Sequence, residues 1–195
     1  YFAGGEPLIM EEHYKILKEL IRLGKADTVR LIYNTNFTRQ AYKDLNVFDY
    51  WPEFKDVSVG ASLDAMGPRA ELMRNGTKWA DVEHNREVML KKCPDVDFYI
   101  SPTVGIFNYS HVIDFHNDWM QKGFIKEGDL NLNMIQDPLH YRIDVITPKM
   151  KREVEPKYKE HIEKIRPNDH LGRATGGFES ALSMMMAEDR TDLLP

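Results

Sequence analysis

The residues best able to do chemistry stand in short polar clusters, each following an apolar run. The earliest is Gly4-Gly5-Glu6-Pro7, preceded by an apolar lead-in and followed by a helical pattern, as a strand, a tight turn and a helix start. Paired glycines let backbone approach a ligand where a Cβ would clash. Glu6 hangs a carboxylate at the strand end, and Pro7 suits the first turn of a helix. Such a unit can grip a small molecule that carries an amino group. Asp64, close behind Ser62, is a candidate for substrate contact or proton transfer, and equally for a loop cap. Asn34 and Asn36, taken alone, read more often as turn formers than as ligands. Arg74 taken alone reads as a surface residue paired with an acid such as Glu71.

The elements that must position these residues follow from periodicity. Apolar residues at Tyr14, Ile16, Leu17, Leu20, Ile21 and Leu23 predict an amphipathic helix over Glu11 to Leu23, ended by Gly24. Val29 to Tyr33 and Val57 to Leu63 read as strands, with a second helix over Arg39 to Leu45 between them. Further along, Trp79 to Lys92 and His111 to Lys122 read as helices, Asp97 to Val104 and Asp129 to Ile135 as strands. A charged helix covers Lys151 to Ile165, Gly172 to Gly177 forms a flexible joint, and Phe178 to Arg190 a last helix. Strands alternating with helices imply an α/β fold with parallel strands and right-handed crossovers. In parallel α/β barrels ligands sit at the C-terminal strand ends. Here those ends carry Gly4-Gly5-Glu6, Asn34-Thr35-Asn36, Ser62 with Asp64, Asn108, and Gln136-Asp137, which together would rim one polar pocket.

Composition narrows the function classes. The chain has 195 residues, of which 42% are hydrophobic, enough for a real core. A net charge of −5 with dispersed Lys and Arg argues against a nucleic-acid partner. No window approaches the roughly 18 apolar residues of a membrane span, and no signal peptide is visible. One cysteine, Cys93, precludes an internal disulfide and suggests a reducing, cytoplasmic compartment. Three Asn-x-Thr/Ser sequons, at Asn36, Asn75 and Asn108, are chance matches in that setting. The histidines show no ligand spacing. His111 and His116 read as solvated or capping, Cys93 as a packed thiol and Trp79 as a packing anchor.

In order and spacing, Gly4-Gly5-Glu6-Pro7, Tyr33-Asn34-Thr35-Asn36, Ser62-Leu63-Asp64, Arg74-Asn75-Gly76 and Trp79 resemble the radical S-adenosylmethionine (SAM) superfamily, most closely its SPASM/twitch branch. The resemblance covers about residues 1 to 138 and implies a partial (β/α)6 TIM-like barrel, truncated at its N-terminal strand. It gives a barrel core over 1–148 and a C-terminal helical extension over 149–195 that leads toward an auxiliary domain. It implies that Gly4, Gly5 and Glu6 bind the methionine amino group of SAM, that Ser62 lies near the ribose, and that Arg74 pairs with the carboxylate. An arginine fork suits a carboxylate, and a glutamate an ammonium. Val104, Ile106 and Met134 or Ile135 would pack on the adenine, with Asp64, Asn36 and Asn108 on the substrate side.

The implied activity is reductive cleavage of SAM by a [4Fe–4S] cluster to a 5′-deoxyadenosyl radical that modifies a substrate, a peptide or protein in this branch. An electron donor such as flavodoxin or ferredoxin would serve it. The departure is the cluster motif: Cys-x3-Cys-x2-Cys, expected upstream of the Gly-Gly-Glu turn, is absent. The chain opens in mid-strand and reads as a fragment whose cluster ligands lie outside the sequence. Two alternatives stand beside this reading. One is a SAM- or peptide-binding module without a cluster; the other is a non-radical (β/α) barrel enzyme using Asp64 or Glu6 in acid–base work.

Overall fold

The computed structural model describes residues 1–193 and divides the chain into two compact units, Tyr1–Leu63 with Gly67–Tyr99, and Asp64–Met66 with the residues from Ile100 onward. The fold is mixed α/β, with a parallel sheet of three strands and covering helices. No helix among the described residues is long and apolar enough to cross a membrane.

In the first unit, α1 (Glu11–Arg22) turns His13, Tyr14 and Leu17 inward. It carries acids in its first turn and Arg22 in its last, as the helix dipole favours. Gly24, at φ 63°, supplies the left-handed residue that ends it. Strand β1 (Arg30–Thr35) alternates, burying Leu31, Tyr33 and Thr35. The segment predicted as a helix over Arg39 to Leu45 is instead an antiparallel hairpin of β2 (Ala41–Tyr42) and β3 (Leu45–Asn46). Lys43 sits at φ 53°, which a helix cannot contain, and the few apolar residues there pair across a two-residue turn.

Strand β4 (Asp56–Ala61) is central in the three-stranded sheet and buried from Val57 to Ala61, as a strand covered on both faces should be. It pairs in parallel with β1, from Arg30 opposite Asp56 to Thr35 opposite Ala61. Helices α2 (Gly67–Met73) and α3 (Trp79–Lys92) lead to the third strand, β5 (Asp97–Ile100). Trp79 is buried at the start of α3, and Trp51 packs on Tyr33 and Phe48.

In the second unit, β6 (Thr103–Val104) pairs in parallel with β7 (Asn133–Met134), and Ile100 bridges Leu130. The strand predicted over Asp129 to Ile135 thus shrinks to a two-residue ladder and one bridge. Between them α4 (His111–Gln121) buries Val112, Ile113, Phe115, His116 and Trp119. Trp119 meets Phe115 and Phe124 edge-on. Helix α5 (Pro148–Ile165) starts on Thr147, whose hydroxyl accepts from Met150 N at 3.3 Å, with Pro148 in the first turn.

The joint expected over Gly172 to Gly177 is a joint only at Gly172, with φ 64°. From Arg173 the chain is already helical, and α6 runs Arg173–Ala187 rather than Phe178 to Arg190. Gly177 belongs to this helix because a Cβ there would lie 2.9 Å from Leu132 Cβ. The absent side chain serves close packing, not flexibility.

His116 corrects the reading of a solvated residue. It is fully buried, and its Nδ1 lies 2.9 Å from Nε2 of His161 on α5, with Phe178 of α6 against both rings. Burial holds His116 down to about 3 and His161 to about 4; Asp169 opposes the shift at His116 and Lys164 adds to it. In the first unit burial likewise lowers His13, bonded to the Tyr33 hydroxyl at 2.9 Å, to about 4. An unfolded histidine takes a proton near its ordinary 6.5, whereas these folded rings refuse it. Their stabilising effect is therefore complete above 6.5 and is lost as pH falls towards 4. The unfolding free energy from urea titration is expected to drop across that interval, by up to about 1.4 kcal/mol per pH unit for each ring kept neutral, and the urea midpoint with it. A flat midpoint would show that the rings titrate normally.

Candidate functional site

The first unit concentrates its polar groups where β1 and β4 end. Gly4 and Gly5 both have positive φ, 84° and 61°, with open space where a Cβ would stand. This double left-handed turn carries the chain from Phe2, bridged to Tyr33, into the short 3-10 turn Pro7–Ile9. Glu6 is the hub of the cluster. Its Oε1 accepts from the Thr35 hydroxyl at 2.6 Å and from Leu8 N at 3.4 Å, and its Oε2 from Asn36 N at 2.7 Å. It both caps the turn and ties it to the end of β1.

Ser62 continues the same edge, its N–H donating to the Thr35 carbonyl at 2.8 Å. Asn36 spends its Oδ1 on the N–H and hydroxyl of Thr38, at 3.0 and 2.7 Å. Asn36 and Thr38 share with Arg74, Asn75, Gly76 and Thr77 a cavity of about 220 Å³. Glu6, Ser62, Asn36 and Arg74, apart in sequence, are thus all found on the first unit, with Asn36 and Arg74 lining one pocket.

The second unit holds the other predicted residues. Asp64 Oδ1 accepts from Thr103 N at 2.8 Å, while its carbonyl accepts from Asn108 Nδ2 at 2.7 Å. Asn108 is fully buried, also donating to the Thr103 carbonyl at 3.1 Å and accepting from Gly105 N at 2.9 Å. Its amide pins the turn that follows β6. Val104 is buried, Ile106 and Met134 are half-buried, and Ile135 N donates to the Val104 carbonyl at 2.9 Å. At Gly105 a Cβ would come within 2.6 Å of the Tyr141 carbonyl oxygen and 2.7 Å of Ile135 Cδ1.

Sequence reasoning passed over Thr35, Thr38, Gly105 and Tyr141. Thr35 stood inside the singled-out Asn34-Thr35-Asn36 cluster, yet only the strand's alternation, which turns it inward, marks it as the residue whose hydroxyl donates to Glu6. Another cavity on the first unit, about 370 Å³, is lined by Trp51, Phe54, Lys55, Lys92 and Cys93 among others. Burial pushes the Cys93 thiol up to about 11, so it is a packed, unreactive group.

The donor set does not suit a metal centre. Among the described residues, no group of three or more His, Cys, Asp or Glu could hold an ion. The one cysteine is buried with its thiol on the Phe48 carbonyl, so these residues do not fit an iron–sulfur cluster.

No protein-family model and no curated protein sequence matches the chain. Solved structures with a similar fold exist. Native anSMEcpe with bound AdoMet and Cp18Cys peptide superposes with a TM-score of 0.58 at 22% identity, covering 86% of this chain and 47% of that one. The same protein with AdoMet and Kp18Cys peptide gives 0.58 at 21% identity, with the same coverage. Histidine-tagged anSMEcpe with bound AdoMet gives 0.55 at 20% identity, covering 90% and 45%. The chain therefore spans less than half the length of these proteins.

The Asn108 clamp can be tested directly. Asn108→Asp keeps the acceptor for Gly105 N but turns an oxygen towards two carbonyls. A loss of about 3 kcal/mol in urea unfolding is expected, since a buried polar group left unmatched costs about 1–3 kcal/mol and a charge more. Unchanged stability would mean that the amide does not pin this turn.

Proposed function

We propose that the chain is the SAM-holding part of a radical SAM enzyme whose substrate is a peptide or protein. The single observation that carries the proposal is the joining, on the first unit, of a double left-handed glycine turn and Glu6 to a pocket lined by Asn36 and Arg74. A zwitterionic amino acid moiety needs that pairing of donors and acceptors. The likeness to anSMEcpe, an anaerobic sulfatase-maturating enzyme of the radical SAM type, supports the reading, as does the AdoMet bound in those structures. The peptides in two of them support the substrate class.

In this reading the first unit works by binding and orientation. Arg74 takes the SAM carboxylate and Ser62 lies towards the ribose. Glu6 accepts three hydrogen bonds, and a carboxylate has room for about four, which leaves one position for the SAM ammonium beside the Gly4 and Gly5 backbone. Thr35 and Leu8 hold that carboxylate in place. For the second unit we propose that Val104, Ile106 and Met134 pack on adenine. Asn36 of the first unit and Asp64 and Asn108 of the second are the proposed substrate-side residues, with Asp64 and Asn108 setting the turn after β6. A partial (β/α)6 barrel over 1–148, a helical extension over 149–195 and a cytoplasmic setting with an external electron donor belong to the same proposal. The [4Fe–4S] cluster enters it only through ligands outside these residues, and no step is derived through it.

A second reading is a SAM- or peptide-binding module without a cluster, with which a single cysteine buried on the Phe48 carbonyl is equally compatible. Both readings share the SAM site. In the full protein, Arg74→Ala should raise the SAM Kd about 10–100-fold, because a charge-assisted hydrogen bond contributes about 1.5–3 kcal/mol. Calorimetry giving an unchanged Kd would remove Arg74 from the site. Anaerobic formation of 5′-deoxyadenosine by the reduced full protein separates the readings, since only the enzyme makes it.

A further inference from the structure

The loop that lines the Arg74 pocket carries a chemically unstable pair. Asn75 is the chain's one asparagine followed by glycine. The pair forms the centre of a turn between α2 and α3, closed by a hydrogen bond from Thr77 N to the Arg74 carbonyl at 3.1 Å. Positive φ at Gly76, 87°, and not at Asn75 is the pattern of a type II turn. Both residues are exposed, and nothing lies within 4 Å of a would-be Gly76 Cβ. The turn's own hydrogen bond does not involve Gly76 N. The Asn75 side chain therefore has solvent, space and an unshielded backbone nitrogen beside it.

We propose that Asn75 is a site of spontaneous deamidation that sets a carboxylate beside the Arg74 guanidinium and so offsets the positive charge of the pocket wall. The Gly76 nitrogen, losing its proton to water, attacks Asn75 Cγ; the N–Cγ bond forms, the Cγ–Nδ2 bond breaks, and ammonia leaves. Water then opens the succinimide at either carbonyl, giving aspartate or isoaspartate. The net change is amide plus water to acid plus ammonia, with no oxidant or reductant. At neutral pH the product is a carboxylate on the residue next to Arg74, in the wall of the same cavity. It draws on the guanidinium and repels an anionic group entering the pocket. An isoaspartate also lengthens the backbone of the turn by one methylene and displaces Thr77.

The chemical step stands on the turn alone, whereas its effect on ligand binding rests on the SAM reading above, and the test keeps the two apart. The full protein is aged in mildly alkaline buffer and digested, and the Asn75 peptide is compared by mass with those of the other exposed asparagines, Asn34, Asn131, Asn133 and Asn168. Asn75 should convert several-fold faster than any of them, with both aspartyl and isoaspartyl products. Conversion no faster than theirs overturns the proposal. SAM affinity is then measured on fresh Asn75→Asp, Asn75→Gln and Arg74→Ala. A Kd severalfold weaker for Asn75→Asp than for Asn75→Gln supports the effect on the pocket. An Asn75→Asp protein that binds like wild type, while Arg74→Ala does not, overturns that effect. If Arg74→Ala also binds like wild type, the SAM site is elsewhere, and the ageing of Asn75 stands or falls on the peptide masses.

Discussion

A single carboxylate sets the geometry on which the first unit's polar edge depends. Glu6 is fixed from three directions, by Leu8 N in the turn it caps and by the Thr35 hydroxyl and Asn36 N at the end of β1. Two left-handed glycines bring it there, a conformation that side chains with a Cβ rarely adopt. Because Ser62 N hangs on the Thr35 carbonyl, and Asn36 lines the Arg74 pocket, the placement of Glu6 reaches every residue assigned to that edge. Charged hydrogen bonds are stronger than neutral ones. A carboxylate is thus well suited to hold a loop that has no ladder to lean on.

The second unit solves the same problem with a neutral amide. A turn after a two-residue strand leaves several backbone groups without sheet partners, and buried backbone groups need partners. Asn108 supplies three at once, accepting from Gly105 N and donating to the Asp64 and Thr103 carbonyls. Asp64 adds the bond to Thr103 N. Asp64 and Asn108, singled out as chemical candidates, thereby hold the structure of this turn.

Much of the architecture was legible because long amphipathic segments announce themselves. The helices Glu11–Arg22, Trp79–Lys92 and His111–Gln121 fall within a residue of where their apolar spacing puts them, and Gly24 ends the first as read. The errors share a cause: a local pattern that a tertiary contact decides. Gly176 and Gly177 look like a hinge until Leu132 is seen to need the space over Gly177. The Ala41–Asn46 hairpin has too few apolar residues for any period to show, and no propensity marks Lys43 for positive φ. His116 and His161 are far apart in sequence, and only the packing of α4 on α5 makes them partners. Gly4, Gly5, Glu6, Asn36 and Arg74 stand out in the sequence by residue type and spacing. That Glu6 is held by Thr35, and that Asn108 is locked on three sides, required side-chain geometry.

The burial of the tryptophans has an optical corollary. Of the three in the chain, Trp51 and Trp79 lie in the first unit, and Trp119 alone lies in the second, enclosed by Phe115 and Phe124. A fully buried indole emits at shorter wavelength than one in water, so each unit carries its own intrinsic fluorophore. With Trp51 and Trp79 replaced by phenylalanine, emission reports the opening of the second unit alone, and the cooperativity between the units becomes something that can be read from a spectrum.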